Sequence, residues 1–136
     1  MRVFLDTNVL VDLLDSSREN FMQAAIVFEA AKEGCLEVCI SSQSITDCAY
    51  MARKKPSDVF RAALKRILPF VGILPVTKDH LSKALSSPCQ DLEDAALIAC
   101  AEDNLCEAII TSNVQHFKPH TNLIVHTPGE FVRMCD

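Results

Sequence analysis

The chain has no Cys-x-x-Cys pair, although it carries seven cysteines. Cys35, Cys39, Cys48, Cys89, Cys100, Cys106 and Cys135 are scattered, mostly through apolar segments, odd in number and without the spacing of a structural zinc site or a disulfide framework. They are expected to be reduced, buried thiols acting as small hydrophobes. The histidines His80, His116, His120 and His126 do not add the paired ligands that zinc requires. No apolar run approaches the roughly 20 residues of a spanning helix, and no basic segment followed by an apolar stretch opens the chain. These absences predict a soluble, cytoplasmic protein with no membrane contact. Positive charge is not in surplus either: the net charge of -5 argues against a surface that binds nucleic acid non-specifically all over. None of the three glycines follows Asn or Asp, so tight hairpins have no signal. Repeats, linkers and low-complexity segments are lacking as well, and 136 residues at 49% hydrophobic composition predict one domain over residues 1–136.

What is present is an alternation of short apolar runs with helical periods. Residues 3–5 read as a buried strand, and Asn8 as the cap of an apolar helix holding Val9, Leu10, Val11, Leu13 and Leu14. After a polar break at residues 15–20, Phe21, Ala25, Phe28 and Ala31 keep a helical period, which Gly34 stops. Residues 36–40 form the second strand. Residues 41–55 predict a helix ending before Pro56, and Ser57 begins another with a buried stripe of Val59, Phe60, Ala63, Leu64, Ile67 and Leu68. A strand over residues 71–76 is interrupted by Pro75, and Thr77 caps a helix reaching Leu85. An alanine-rich helix over residues 92–104 precedes strands at 108–111 and 123–126. Thr127-Pro128-Gly129-Glu130 then opens a terminal helix with Phe131 and Val132. The alternation implies an α/β fold of three layers, α/β/α, around a mostly parallel sheet of about five strands.

Three acidic motifs fall where strands hand over to helices: Asp6-Thr7-Asn8, Ser44-Ile45-Thr46-Asp47 and Asp91-Leu92-Glu93-Asp94. Taken singly, each acid suits a helix start, where it caps free amides; Ser44 with Asp47 resembles a capping box. Taken together, they lie at one edge of a parallel sheet, so acids remote in sequence can meet in one pocket. Three residues apart, Asp91 and Asp94 would share a helix face, with Glu93 turned away into solvent. Two carboxylates about 4 Å apart repel by roughly 4 kcal/mol at an effective dielectric of 20. No lysine or arginine lies within the motifs to relieve them. Magnesium or manganese would, through oxygen ligands and retained waters. A separate strip, Arg53, Lys54, Lys55, Arg61, Lys65 and Arg66, reads either as a solvated helix face or as a contact for an RNA backbone, with Arg53, Lys54 and Lys55 nominated for substrate.

These residues resemble the PIN-domain ribonucleases, in particular the small toxins of VapC type. The resemblance spans the chain through Leu5-Asp6-Thr7-Asn8, Ile40-Ser41-Ser42 leading to Asp47, Asp94-Ala95-Ala96-Leu97-Ile98-Ala99 and Ile110-Thr111-Ser112-Asn113. It implies magnesium- or manganese-dependent cleavage of single-stranded or looped RNA, frequent homodimers and inhibition by a small antitoxin. It makes Asp6, Asp47 and Asp94 the catalytic acids, with Asp6, Asp94 and Asp91 toward the metal and Thr7, Asn8, Thr111 and Asn113 in support. The chain departs from the pattern at Asp47, where the family usually has glutamate, at Ser112 in place of arginine, and at His116 in place of the acid before Phe117. A PIN-like module that binds RNA or a protein without cutting is the alternative implied by those departures. A receiver-like phosphoacceptor domain is disfavoured, because Ile110-Thr111-Ser112-Asn113 offers no lysine at the end of that strand.

Overall fold

The computed structural model describes residues 1–135. Five strands, β1 (Arg2–Leu5), β2 (Glu37–Ser41), β3 (Val71–Leu74), β4 (Ala108–Ile110) and β5 (Ile124–His126), form one sheet in the order β3-β2-β1-β4-β5. Every pairing is parallel, with Phe4 opposite Cys39 on one side and Ile109 on the other. The chain leaves β1 toward β2 and β3, then returns to place β4 and β5 on the opposite flank. The order therefore reverses at β1, and the crevice of such a sheet opens beyond the carboxyl ends of β1 and β4.

Side chains alternate across the sheet, and each face has its own core. On one face Val3, Leu5, Val38, Ile40, Ala108 and Ile110 pack against α1 (Thr7–Leu14), α2 (Phe21–Lys32), α4 (Ser57–Ile67) and α8 (Pro128–Cys135) through Val9, Leu10, Val27, Ile67 and Phe131. On the other, Phe4, Cys39 and Ile109 meet Leu97, Ile98, Cys100 and Ala101 of α6 (Leu92–Asp103) and Phe117 of α7 (Val114–Phe117). This is the expected three-layer arrangement. Residues Ala95 to Ala101 of α6 are buried without a break, as a helix of small side chains pressed between sheet and α5 (Lys78–Leu85) can be. Among the described residues no helix is long and apolar enough to cross a membrane.

Several local expectations are corrected. Asp6, not Asn8, caps α1, because its extended backbone turns the carboxylate onto the Thr7 amide at 2.7 Å. The helix expected to reach Lys55 is α3 (Ser42–Met51), and Ser41 caps it by accepting the Ser44 amide, so Ser44 and Asp47 are not a capping box. The stripe on α4 is narrower than its periodicity predicts: Ala63 and Ile67 are buried, whereas Val59 and Leu68 are exposed because no further layer covers that side. On α2 the fully covered positions are Ala24, Val27 and Phe28, rotated slightly from the expected set. A short helix, α7, and two turns of 3-10 helix at Leu68–Phe70 and Lys118–His120 were not foreseen. Cys39, Cys48, Cys89, Cys100 and Cys106 are buried free thiols as expected, but Cys35 is exposed.

Candidate active site

Asp6 sits at the point where the strand order reverses, and backbone and side chain are both pinned there. Its amide donates to the Ile110 carbonyl at 2.9 Å, which extends the β1–β4 ladder by one residue. Its carboxylate accepts the Thr7 amide on Oδ1 and the Thr111 hydroxyl on Oδ2, at 2.7 and 2.8 Å. Thr111 is itself fully buried and accepts the Asn113 amide at 3.0 Å, so the turn after β4 is tied to the acid after β1. Asp6 is 4% exposed, and burial pushes its carboxyl above the ordinary range; the two hydrogen bonds oppose this and the charge of Asp91 adds to it.

Two further groups of acids flank Asp6. On one side stand Asp91 and Asp94. Asp91 lies just outside α6 with extended backbone and caps it, its Oδ1 accepting the Asp94 amide at 3.0 Å. The two acids therefore meet through the cap, not along one helix face as their spacing implies. Partial burial, then Asp91, then Asp6 push the Asp94 carboxyl up to about 6. His116 of α7 brings Nδ1 to 3.8 Å from Asp94 Oδ2, so the residue that departs from the family pattern before Phe117 borders the acids.

On the other side Asp47 and Glu93 come together. Glu93 is the residue whose part in the cluster sequence reasoning missed: it is exposed, as expected, but its carboxylate leans toward Asp47 and accepts from the Thr7 hydroxyl at 3.4 Å. Partial burial, then the neighbouring Asp47, push Glu93 up to about 7, with Asp91 and Asp6 adding to the effect. The helical spacing misled because Asp91 is not in the helix. Glu93 is in the first turn, where a long side chain can fold back across the helix start. The hint in the sequence was the unbroken acidic run itself. Asp47 Oδ2 is buried and has no hydrogen-bond partner.

Of the remaining nominated residues, Thr7 is buried and joined to the Ser44 hydroxyl at 2.8 Å, and Asn8 and Asn113 are half-buried. Arg53 stacks on the Tyr50 ring at 4.0 Å and Lys55 pairs with Asp15 at 2.6 Å. Lys54 is exposed. This strip follows α3 and makes no ion pair with the acids.

The donor set suits a hard cation: carboxylate oxygens, carboxyls held above their ordinary range by burial and by one another, and a buried oxygen without a partner. Among the described residues no three His, Cys, Asp or Glu side chains close into a ready cage. An open carboxylate set of this kind suits magnesium, which is held by one or two carboxylates and keeps several waters.

Residues 2–115 match the sequence profile of the PIN domain. The chain belongs to the PIN domain family. This PIN domain is 24% identical over 135 residues to Ribonuclease VapC1 of Aquifex aeolicus, across 96% of this chain and 92% of that protein. Its fold is similar to that of VapBC2 from Rickettsia felis bound to a promoter DNA fragment, with a TM-score of 0.71 and 18% identity over 93% and 98% of the two chains. It is similar also to a toxin-antitoxin complex from Klebsiella pneumoniae, at 0.67 and 24% over 93% and 97%. For Mycobacterium tuberculosis VapC20, a toxin that cleaves the sarcin-ricin loop, the TM-score is 0.63 at 17% identity over 79% and 86%. Among solved structures, then, the PIN domain fold is shared with toxins of VapC type.

Proposed function

We propose that this PIN domain is a divalent-metal-dependent endoribonuclease that hydrolyses RNA phosphodiester bonds as the toxin of a toxin-antitoxin pair. The observation that carries the reading is the convergence of Asp6, Asp47, Asp91, Glu93 and Asp94 at the reversal point of the sheet, with no lysine or arginine in ion-pair contact with any of them among the described residues. Likeness to Ribonuclease VapC1 supports the ribonuclease activity. Bound Mg2+ or Mn2+ would supply a water of lowered pKa and neutralise charge on the phosphodiester.

The chain's own residues have separable roles in this reading. Asp6 is the central acid, held rigid by Thr111 and the Thr7 amide so that it need not reorganise when a cation arrives. Asp94 and Asp47 supply carboxylates from either side. Asp91 fixes the start of α6 and with it the direction of Asp94. Asn113 offers an uncharged polar group to water or substrate. Lys54 is exposed toward an RNA backbone, whereas Arg53 would first have to leave Tyr50 and Lys55 would first have to leave Asp15.

Toxin-antitoxin assemblies among the similar structures support a small antitoxin as partner. The surface suited to one is a groove of about 830 Å³ walled by Leu14, Phe21, Phe28, Phe60 and Ile67, wide enough for an apolar segment of another protein. The deciding experiment for the chemistry is Asp6→Asn. The folded variant is expected to lose Mn2+-dependent cleavage of RNA entirely, and cleavage at the wild-type rate would overturn the reading.

A further inference from the structure

Glu93 stands in the first turn of α6, on a residue that is largely exposed, where the lowest-energy choice for a lone carboxylate is water. It makes a different choice. Its carboxylate turns in beside Asp47, a like charge, and ends a chain of buried hydroxyls. Ser41 accepts the Ser44 amide and donates its own proton to Ser44 Oγ at 2.9 Å; the Ser44 and Thr7 hydroxyls are 2.8 Å apart; and Thr7 donates to Glu93 Oε1 at 3.4 Å. With Ser41 giving to Ser44 and Thr7 giving to Glu93, the proton between Ser44 and Thr7 has one consistent place, on Ser44. Three hydroxyls from β2, α3 and α1 are thus oriented in one direction, and Glu93 is their terminal acceptor. Ser41 and Ser44 are both 0% exposed, so this line is built into the core and is not a surface accident.

Asp47 gives the second observation. Its Oδ2 is buried and receives no hydrogen bond from an N–H or hydroxyl of the described residues, and the group beside it is the Glu93 carboxyl, so the two acids must share a proton or a cation. Its side chain is short, and the neighbour that lies against it is Glu93. Two acids from different helices, one anchored by a hydroxyl chain and one with a spare buried oxygen, face a common space on the flank of Asp6.

We propose that Glu93 is a member of the metal-holding set, acting with Asp47 as a pair in which the longer side chain supplies the reach that the shorter one lacks. This rests on the metal-dependent reading above and adds to it a residue that neither the family resemblance nor the spacing nominates. Asp47 provides the buried inner oxygen, and Glu93 provides the outer, longer-reaching carboxylate. A glutamate at position 47, starting from the same place on α3, would extend into the space now shared with Glu93. Each acid can thus compensate for the other.

The test is Mn2+ binding by calorimetry to wild type, Glu93→Gln and the double variant Asp47→Glu with Glu93→Gln, with circular dichroism to confirm that each is folded. Glu93→Gln is expected to weaken Mn2+ at least about 10-fold, the scale on which a metal site responds to loss of a supporting group, and the added methylene in the double variant to recover most of that loss. Wild-type affinity in Glu93→Gln would overturn the assignment of Glu93 while leaving the metal site intact. Loss without recovery in the double variant would overturn the pairing with Asp47. Absence of Mn2+ binding by wild type would overturn the functional reading itself.

Discussion

Asp94 and Glu93 illustrate how an acid can be destabilising where it stands. Their carboxyls have ordinary values of 3.8 and 4.5 and are pushed up to about 6 and about 7, in each case chiefly by burial and then by a neighbouring carboxylate. Asp6 moves in the same direction. The sign follows from proton counts: between about pH 4 and pH 7 the folded chain holds protons on these groups that the unfolded chain has released, so stability falls as pH rises through that window. Metal-free protein is expected to melt at a lower temperature at pH 7.5 than at pH 5.5, with a smaller difference in Asp94→Asn, when followed by circular dichroism in EDTA. Asp15, depressed by Lys55 first and then by Ser17, works oppositely, but its window lies below its ordinary value of 3.8 and does not overlap. A variant with the full pH slope of wild type would show that Asp94 is not a source of the strain.

Two helices end in the same way with different residues. After α2, the Cys35 amide reaches back to the Ala30 carbonyl and the Gly34 amide to Ala31, with Gly34 at a φ of +79°. After α6, the Cys106 amide reaches Ala101 and the Leu105 amide reaches Glu102, with Leu105 at a φ of +59°. Glycine adopts that conformation freely, whereas a side chain with a Cβ is strained there by about 1–2 kcal/mol. Leu105 is also 80% exposed, so burial returns little for the strain. Leu105→Gly is expected to stabilise the protein by about 1 kcal/mol, the strain relief less the extra chain entropy of glycine, read as a higher urea midpoint at unchanged slope. Gly34→Ala should shift the midpoint the other way, since alanine meets no neighbour there and only the backbone objects.

At the scale of the whole molecule, the site joins parts of the chain that the sheet alone brings together. Asp6 follows β1, Asp47 lies on α3 after β2, Asp94 opens α6, and Thr111 follows β4. On the proposed metal-dependent reading, a cation that relieves their repulsion would bind the folded state and have no such site in the unfolded chain. Mn2+ at about 100 times its dissociation constant should therefore add roughly 2.7 kcal/mol to unfolding stability. The rise in melting temperature is expected to vanish in Asp6→Asn, and an equal rise in that variant would place the ion elsewhere. The rise should also be larger at pH 7.5 than at pH 5.5, because protons compete with the metal for the same oxygens.

The alternation of apolar runs and helical periods by itself determined the α/β layers, the positions of all five strands and most helices, since those depend on local propensity and on a two-sided buried sheet. Asp6, Asp47, Asp91 and Asp94 were legible for the same reason, as acids at strand-to-helix handovers. What only the tertiary structure decided is which way side chains turn where a helix begins. There the backbone leaves its period, so spacing no longer specifies direction: Asp91 became a cap, and Glu93, though exposed, leans toward Asp47. The hydroxyl line from Ser41 through Ser44 and Thr7 depends on three elements being adjacent across the sheet edge, a contact that no local pattern encodes. Periodicity records which residues a helix buries, whereas the geometry of an active site is set at element ends, where long-range packing places the side chains.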